Sequence, residues 1–344
     1  MSEVEVFLDD TPGETRGVIA RDGRFEQLLI QRDDDIPQHR LGAWAVGRVT
    51  EVIASLRGAF VDLGAGGPAG FLPLGKGETV RQGDRIEVEV VTEPRERKGA
   101  TLRRRGSGEG EPRLLRAGPD VRAQLAALAP GAEVHTGVAA IQASWDAEEE
   151  ALSDTHDFPA EGFDLAVQRT RALIAVDIDY APLSGRDAGK GRAQANRKGL
   201  VQSARLIRLK GWGGLAAIDL VGTGLDAAVV ARDAQAAFAD DPQVVFGPLS
   251  RFGLLQLALP WRRTPIEERL AGNDVEGGRV TRAIALTRRL RHALLSDTTV
   301  ARFTARCAPE EAAAAAALAM RLGPRAGLRA DPTVGPGRSL IEEG

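Results

Sequence analysis

Cysteine occurs once in 344 residues, at Cys307. That excludes an internal disulfide and any zinc site built from a cysteine cluster within one chain, and it fits a reducing compartment. Long apolar runs are missing too. None approaches the length a bilayer span needs, and the opening M-S-E-V-E-V lacks the charged-then-apolar pattern of a secretory signal. The expected location is therefore the cytoplasm, with no membrane partner. Nor is there a large charge of one sign. Lys and Arg number 45 against 48 Asp and Glu, a net charge of −3, which argues against a protein that coats nucleic acid nonspecifically. What is present is ordinary for a globular chain. Apolar residues make up 43% and charged residues 27%, and the length suffices for two or three domains with well-formed cores.

The charges are not evenly mixed. Arg95, Arg97, Lys98, Arg103, Arg104 and Arg105 crowd one stretch, Arg205, Arg208 and Lys210 a second, and Arg288, Arg289 and Arg291 a third. A locally basic surface guides a phosphate backbone into a site. The alternative is solvated helix faces and turns, which is the preferred reading of the third cluster because it falls in a helix-like run.

Three short strands open the chain, at 4–8, 15–21 and 25–31, separated by the turn sequences T-P-G-E and R-D-G-R. Residues 42–105 then carry five strand candidates at 45–52, 59–63, 70–73, 85–92 and 100–104, with glycine-rich turns such as G-A-G-G-P-A-G between them. Five short strands in so little chain suit a small closed barrel of the OB type. Such barrels bind single strands by stacking bases on aromatics beside a basic groove. Phe60 and Phe71 are the candidate platforms, with Lys98, Arg97 and Arg103 for phosphate. Burial in a core is the competing fate of either ring.

Residues 106–119 read as a linker rich in glycine, proline and charge. Helices are predicted at 120–128 and 141–152, a strand at 133–138, and strands at 163–169 and 171–177. The stretch 171–220 holds the most telling pattern: R-A-L-I-A-V-D-I-D-Y-A, a basic segment, then G-G-L-A-A-I-D-L. Each half is an apolar run ending in aspartate, as a buried strand delivering a carboxylate to a sheet edge looks. Asp177 and Asp179 share one face of a strand, and a neighbouring strand brings Asp219 toward them. Three such oxygen donors suit magnesium with a phosphate substrate. Aspartates after strands are also common helix caps and turn residues. Further on come an alanine-rich helix at 226–240, a strand near Val244, helices at 265–270, 280–295 and 309–322, and a strand at 299–305.

The phrases G-R-V-T-E-V, G-A-F-V-D-L-G, A-G-F-L-P-L, V-R-Q-G-D and V-V-T-E-P-R-E-R-K-G-A-T-L follow in the order and spacing of the S1 RNA-binding domain of the RNase E and RNase G family. A-V-D-I-D resembles the family's A-I-D-I-N. A-R-L-I-R-L-K-G-W-G-G-L-A-A-I-D-L resembles A-R-Q-L-R-L-R-D-L-G-G-L-I-V-I-D-F, and L-S-R-F-G-L-L-Q-L resembles I-S-R-F-G-L-L-E-M. The resemblance implies an α/β (α+β) chain. An RNase H-like domain (1–40 and 106–160) would carry an inserted S1 barrel of OB fold (41–105). A DNase I-like catalytic domain (161–263) and a small helical or mixed tail (264–344) would follow.

It also implies a magnesium-dependent endoribonuclease that cleaves single-stranded RNA to 5′-phosphate and 3′-hydroxyl ends, in RNA processing or decay. Asp177 and Asp219 match the family's magnesium-binding, catalytic aspartates. Asp179 takes the place of its asparagine ligand, which makes Asp177, Asp179 and Asp219 the implied Mg2+ set. The departures are specific. The phrase G-L-I-x-R-T-A, which carries the family's sensor of RNA 5′ ends, is absent, so the rate should hardly respond to a 5′ monophosphate. A lone Cys307 cannot supply the family's paired-cysteine zinc link, so any homo-oligomer forms without it. Gly222 and Gln256 stand where the family has acids, and Gln243 and Val244 where it has a basic residue. The alternative is an RNA-binding member of the same ancestry with weak or lost cleavage. A purely structural partner in an RNA-handling assembly is a third reading.

Overall fold

The computed structural model describes residues 3–96, 98–181, 188–271 and 278–344. The chain divides into two compact units, Met1–Glu148 with Arg263–Gly344, and Glu149–Arg262. Its fold is mixed α/β, with seven α-helices among the described residues.

Three strands, β1 (Val4–Thr11), β2 (Glu14–Arg21) and β3 (Arg24–Arg32), form an antiparallel meander. The barrel follows as β4 (Trp44–Ile53), β5 (Gly58–Asp62), β6 (Gly70–Pro73), β7 (Arg85–Thr92) and β8 (Thr101–Ser107). Its strands run in the order β5-β6-β8-β7-β4, and β4 pairs again with β5, which closes the sheet on itself as an OB-like barrel. Alternate side chains point inward (Val49, Val61, Leu72, Ile86, Val88, Val90 and Leu102), and these fill the interior.

The stretch read as a linker holds a sixth strand. β9 (Arg113–Arg116) pairs antiparallel with β4, so only part of 106–119 is unstructured connection. Helix α1 (Val121–Leu128) starts on Asp120, whose side chain accepts the Ala123 N–H at 2.7 Å. It packs Val121 and Leu125 onto Val6, Ile19 and Leu29 of the meander. The short β10 (Val134–His135) then adds parallel to β1, so the chain returns after the barrel to the sheet it left. The boundary between the units falls within α2 (Val138–Leu152).

The second unit contains β11 (Thr155–Phe158), β12 (Phe163–Arg169), β13 (Ile174–Tyr180), α3 (Ala188–Lys210), β14 (Gly214–Asp219), α4 (Ala227–Ala237), β15 (Val245–Phe246) and β16 (Leu254–Leu259). Its six strands are ordered β11-β12-β13-β14-β16-β15, and only β13 and β14 run parallel. The long α3 is the crossover that a parallel pair requires.

The remainder belongs to the first unit: α5 (Ile266–Ala271), α6 (Arg279–Ser296), β17 (Phe303–Cys307), α7 (Pro309–Met320), β18 (Ala326–Ala330) and β19 (Leu340–Glu343). The strands β18-β17-β19 form a small sheet whose apolar side is covered by α6 and α7.

Two basic clusters differ from their sequence reading. Arg288 is 1% exposed. Its guanidinium donates to Asp9 at 2.6 Å and Glu14 at 2.9 Å, and Glu14 also accepts from Arg16 at 2.6 Å and Arg32 at 2.9 Å. A solvated helix face is the wrong reading for Arg288, because the carboxylates that pair with it lie on the first hairpin, remote in sequence; Arg289 is exposed. In the second cluster Arg205 is buried against Glu150 at 2.7 Å. Lys210 is buried too, donating to the carbonyls of Ala151 and Ser153. These two cations secure the chain entering the second unit and offer no surface to a phosphate backbone.

Candidate functional site

On β13, Ile174, Val176 and Ile178 are buried, while Asp177 and Asp179 are exposed. β14 repeats the pattern, with Ala216 and Ile218 buried and Asp219 exposed at its last position. The buried row faces α3, which packs on β12 and β13. It does so closely: a side chain at Gly199 would lie 2.7 Å from Ile178. Among the described residues the opposite face is exposed where it carries the aspartates.

Asp177 and Asp219 are register partners on the parallel pair. Their Cα atoms are therefore about 5 Å apart across the ladder and their side chains share a face. Among the described residues neither carboxylate caps a helix or has a hydrogen-bond partner. Asp226, by contrast, does cap α4, accepting from Ala228 N at 2.8 Å and Val229 N at 3.3 Å. The segment beyond Asp219 is pinned by Asn196 on α3. Its side chain donates to Val221 O at 3.0 Å and accepts from Val221 N at 2.8 Å.

Asp179 sits two residues beyond Asp177, and its Oδ1 accepts the N–H of Tyr180 at 2.8 Å. Across the antiparallel ladder it faces Asp164 of β12. Asp157 of β11 is the register partner of Asp164, which extends the acidic row by one more strand. Neither Asp164 nor Asp157 belongs to a recognisable motif in the sequence. The alternation in F-D-L-A-V-Q-R places Asp164 on the polar face, but only the hairpin register brings it beside Asp179.

The crowding shows in the acid–base properties. Burial raises the Asp177 carboxyl above its ordinary range, and the charges of Asp219 and Asp179 push it further up. Asp164 is raised likewise, by burial and then by Asp179, Asp157 and Asp177. Such a face attracts cations. Among the described residues, however, no three His, Cys, Asp or Glu side chains converge into a group that holds a metal by itself. Electrostatic influence reaches further than ligation, so both findings stand together. What the fold preorganises is a two-carboxylate pair. That fits magnesium, which commonly takes one or two carboxylates and fills its other positions with water and substrate phosphate oxygens.

On the barrel, Phe60 and Phe71 are cross-strand partners on β5 and β6. Their ring centroids are 5.7 Å apart and the planes meet at 64°. Both are half-buried and stand outside the barrel's core. Phe71 lies over Gly58, where any Cβ would be 2.3 Å from the ring. Its N–H donates to Ala100 O at 2.8 Å, which ties β6 to the segment after Lys98. Lys98 is exposed, with Glu96 at 3.5 Å. Arg103 projects from β8 and shares Glu89 with Arg105, at 2.9 Å for Arg103. Arg97 lies outside the described residues. The barrel therefore presents an aromatic pair with lysine and arginine on neighbouring strands and loops.

No helix among the described residues is long and apolar enough to cross a membrane. No family model matches the chain. It is 32% identical to "Ribonuclease G" of Haemophilus influenzae over 30% of its own length and 24% of that protein's, so it spans about a quarter of that relative. The chain is thus related in part to a ribonuclease G.

Proposed function

We propose that the chain is a magnesium-dependent endoribonuclease that cuts single-stranded RNA to 5′-phosphate and 3′-hydroxyl ends, in cytoplasmic RNA processing or decay. One observation carries this reading: Asp177 and Asp219 stand in register on adjacent parallel strands, both exposed on one sheet face, and among the described residues neither has a hydrogen-bond partner. The partial similarity to a ribonuclease G supports RNA as the substrate class.

Asp177 and Asp219 would hold the ion, which supplies positive charge to the phosphodiester and lowers the pKa of attacking water. The residues' own part is placement. The β13–β14 ladder fixes the carboxylates, and Asn196 fixes the backbone that follows Asp219. Asp179 adds negative charge beside them and is oriented by the Tyr180 N–H. Holding the strand falls to the barrel. Phe60 and Phe71 stack bases while Lys98, Arg97 and Arg103 contact phosphates, a mode tolerant of sequence because every base has a stacking face. In this reading the meander sheet with its returning β10 is the RNase H-like domain with S1 inserted, and the second unit is DNase I-like.

Binding is testable by titrating labelled single-stranded RNA in chelator. Phe71→Ala should weaken binding by about tenfold, for ~1.4 kcal/mol of lost stacking. Lys98→Ala should reduce the slope of log affinity against log salt by about 0.7, the share of one phosphate contact. Equal affinity and slope in both variants would remove the barrel from the proposal. Cleavage is tested by the product ends. Fragments with 3′-hydroxyl and 5′-phosphate termini are expected, whereas cyclic phosphates would indicate a different chemistry.

A second reading, an RNA-binding protein with lost cleavage, is favoured by the absence, among the described residues, of a converging third carboxylate. It is distinguished by RNA that is bound and stays intact in magnesium.

A further inference from the structure

The acidic face poses a problem for a polyanionic substrate. Asp157, Asp164, Asp177, Asp179 and Asp219 repel a phosphate backbone, so the strand needs an attachment beside them. The turn that enters β16 supplies the chemistry for one. Leu254 is the register partner of Asp219, and Phe252 precedes it by two residues. Two residues span at most about 7 Å and adjacent strands lie about 5 Å apart. The Cα of Phe252 is therefore within about 12 Å of that of Asp219.

The turn is built to hold its shape. Ser250 Oγ accepts from Phe252 N at 3.3 Å and Leu254 N at 3.1 Å. The backbone adds Gly253 N to Ser250 O at 3.1 Å and Ser250 N to Leu254 O at 2.9 Å. Gly253 closes the turn at φ +86°, in the left-handed region that favours glycine. Phe252 is nonetheless 73% exposed. Leaving most of a phenyl ring in solvent on a well-fixed turn contributes little to folding. The guanidinium of Arg251 stacks on the ring, 4.9 Å from its centroid. That helps order the ring while most of it remains accessible, beside a cation able to meet a phosphate.

We propose that Phe252 stacks a base of single-stranded RNA next to the phosphodiester held at Asp177 and Asp219, with Arg251 ordering the ring and contacting the backbone. The inference rests on the reading of those aspartates as a cleavage site. It assigns the strand a second hold, on the second unit itself. Stacking of this kind discriminates a base from no base rather than one base from another.

The test uses the full chain and single-stranded RNA carrying 5-iodouridine at successive positions. Photo-crosslinking in chelator, so that the strand stays whole, is followed by peptide mapping. Crosslinks are expected in the peptide containing Phe252, retained in Phe252→Trp and lost in Phe252→Ala. In magnesium, Phe252→Ala should raise KM by about tenfold with little change in kcat, the fold-change of ~1.4 kcal/mol of stacking, and Phe252→Trp should restore it. One abasic nucleotide at the crosslinked position should cost the wild type the same factor and the alanine variant nothing more. The two proposals fail separately. Crosslinking at Phe252 without any cleavage leaves stacking in place and removes the nuclease. Cleavage with an unchanged KM in Phe252→Ala and no crosslink there overturns the stacking role, as does a shift in self-association of that variant with unaltered RNA kinetics, which would make the turn a contact between copies.

Discussion

Asp177→Asn and Asp219→Asn should each slow magnesium-dependent RNA cleavage by about 100-fold or more while leaving RNA affinity in chelator unchanged. The two residues are register partners exposed on one face, so each replacement removes half of the charge the fold preorganises for a cation. Losing about 3 kcal/mol of transition-state stabilisation corresponds to that rate effect. The folded structure should tolerate both changes. Neither side chain holds a hydrogen bond among the described residues, and removing a charge from a crowded acidic face relieves repulsion that raises the Asp177 carboxyl. Melting temperatures equal to or above wild type are expected. Asp179→Asn separates the contributions further. Its carboxylate is turned to the Tyr180 N–H, so its replacement should change the rate much less than either of the other two. A loss as large as theirs would make it a third ligand.

The largest stability effect should come from a residue far from this chemistry. Arg288→Ala leaves Asp9 and Glu14, each 1% exposed, short of their buried partner. Breaking a buried ion pair from one side costs about 3–5 kcal/mol, because the remaining charge keeps its desolvation penalty. Hydrogen exchange of β1 and β2 peptides in the full chain reads this directly, and protection equal to wild type would contradict it. The same network gives a pH signature. Burial acts to raise the Glu14 carboxyl, but Arg16, Arg288 and Arg32 outweigh it and hold the group at about 2, below its ordinary 4.5. A depressed carboxyl stabilises the fold fully above about pH 4.5, and that contribution is lost as the pH falls through about 2. Protection of the hairpin should decline across that window; in Arg288→Ala, where Glu14 loses one of the charges that depress it, the pH-dependent decline should be smaller and end at a higher pH.

Local patterns made the site's centre legible before the fold was known. Apolar runs ending in aspartate place Asp177 and Asp219 at comparable depths, and a crossover helix between them forces the two strands to run parallel. The barrel was legible for a similar reason. Its glycine-rich turns and alternating strands sit close together in sequence, so β6 and β7 fall at the expected residues. What escaped depends on partners distant in the chain. Arg113–Arg116, in a stretch rich in glycine, proline and charge, becomes a strand only because β4 offers it an edge. Asp164 joins the acidic row through hairpin register rather than through any motif. Arg205 and Arg288 looked like surface cations since Glu150, Asp9 and Glu14 are 55 or more positions away. In the proline-punctuated tail, β18 and β19 form by flanking β17, which no local signal announces.

The most direct measurement of the central claim is incubation of 5′-labelled single-stranded RNA with the full chain in magnesium and in chelator, beside Asp177→Asn under both conditions. The expected result is internal cleavage by the wild type that requires magnesium and is nearly abolished in the variant. RNA bound by the wild type but left intact in magnesium, or cut equally well by Asp177→Asn, would contradict it.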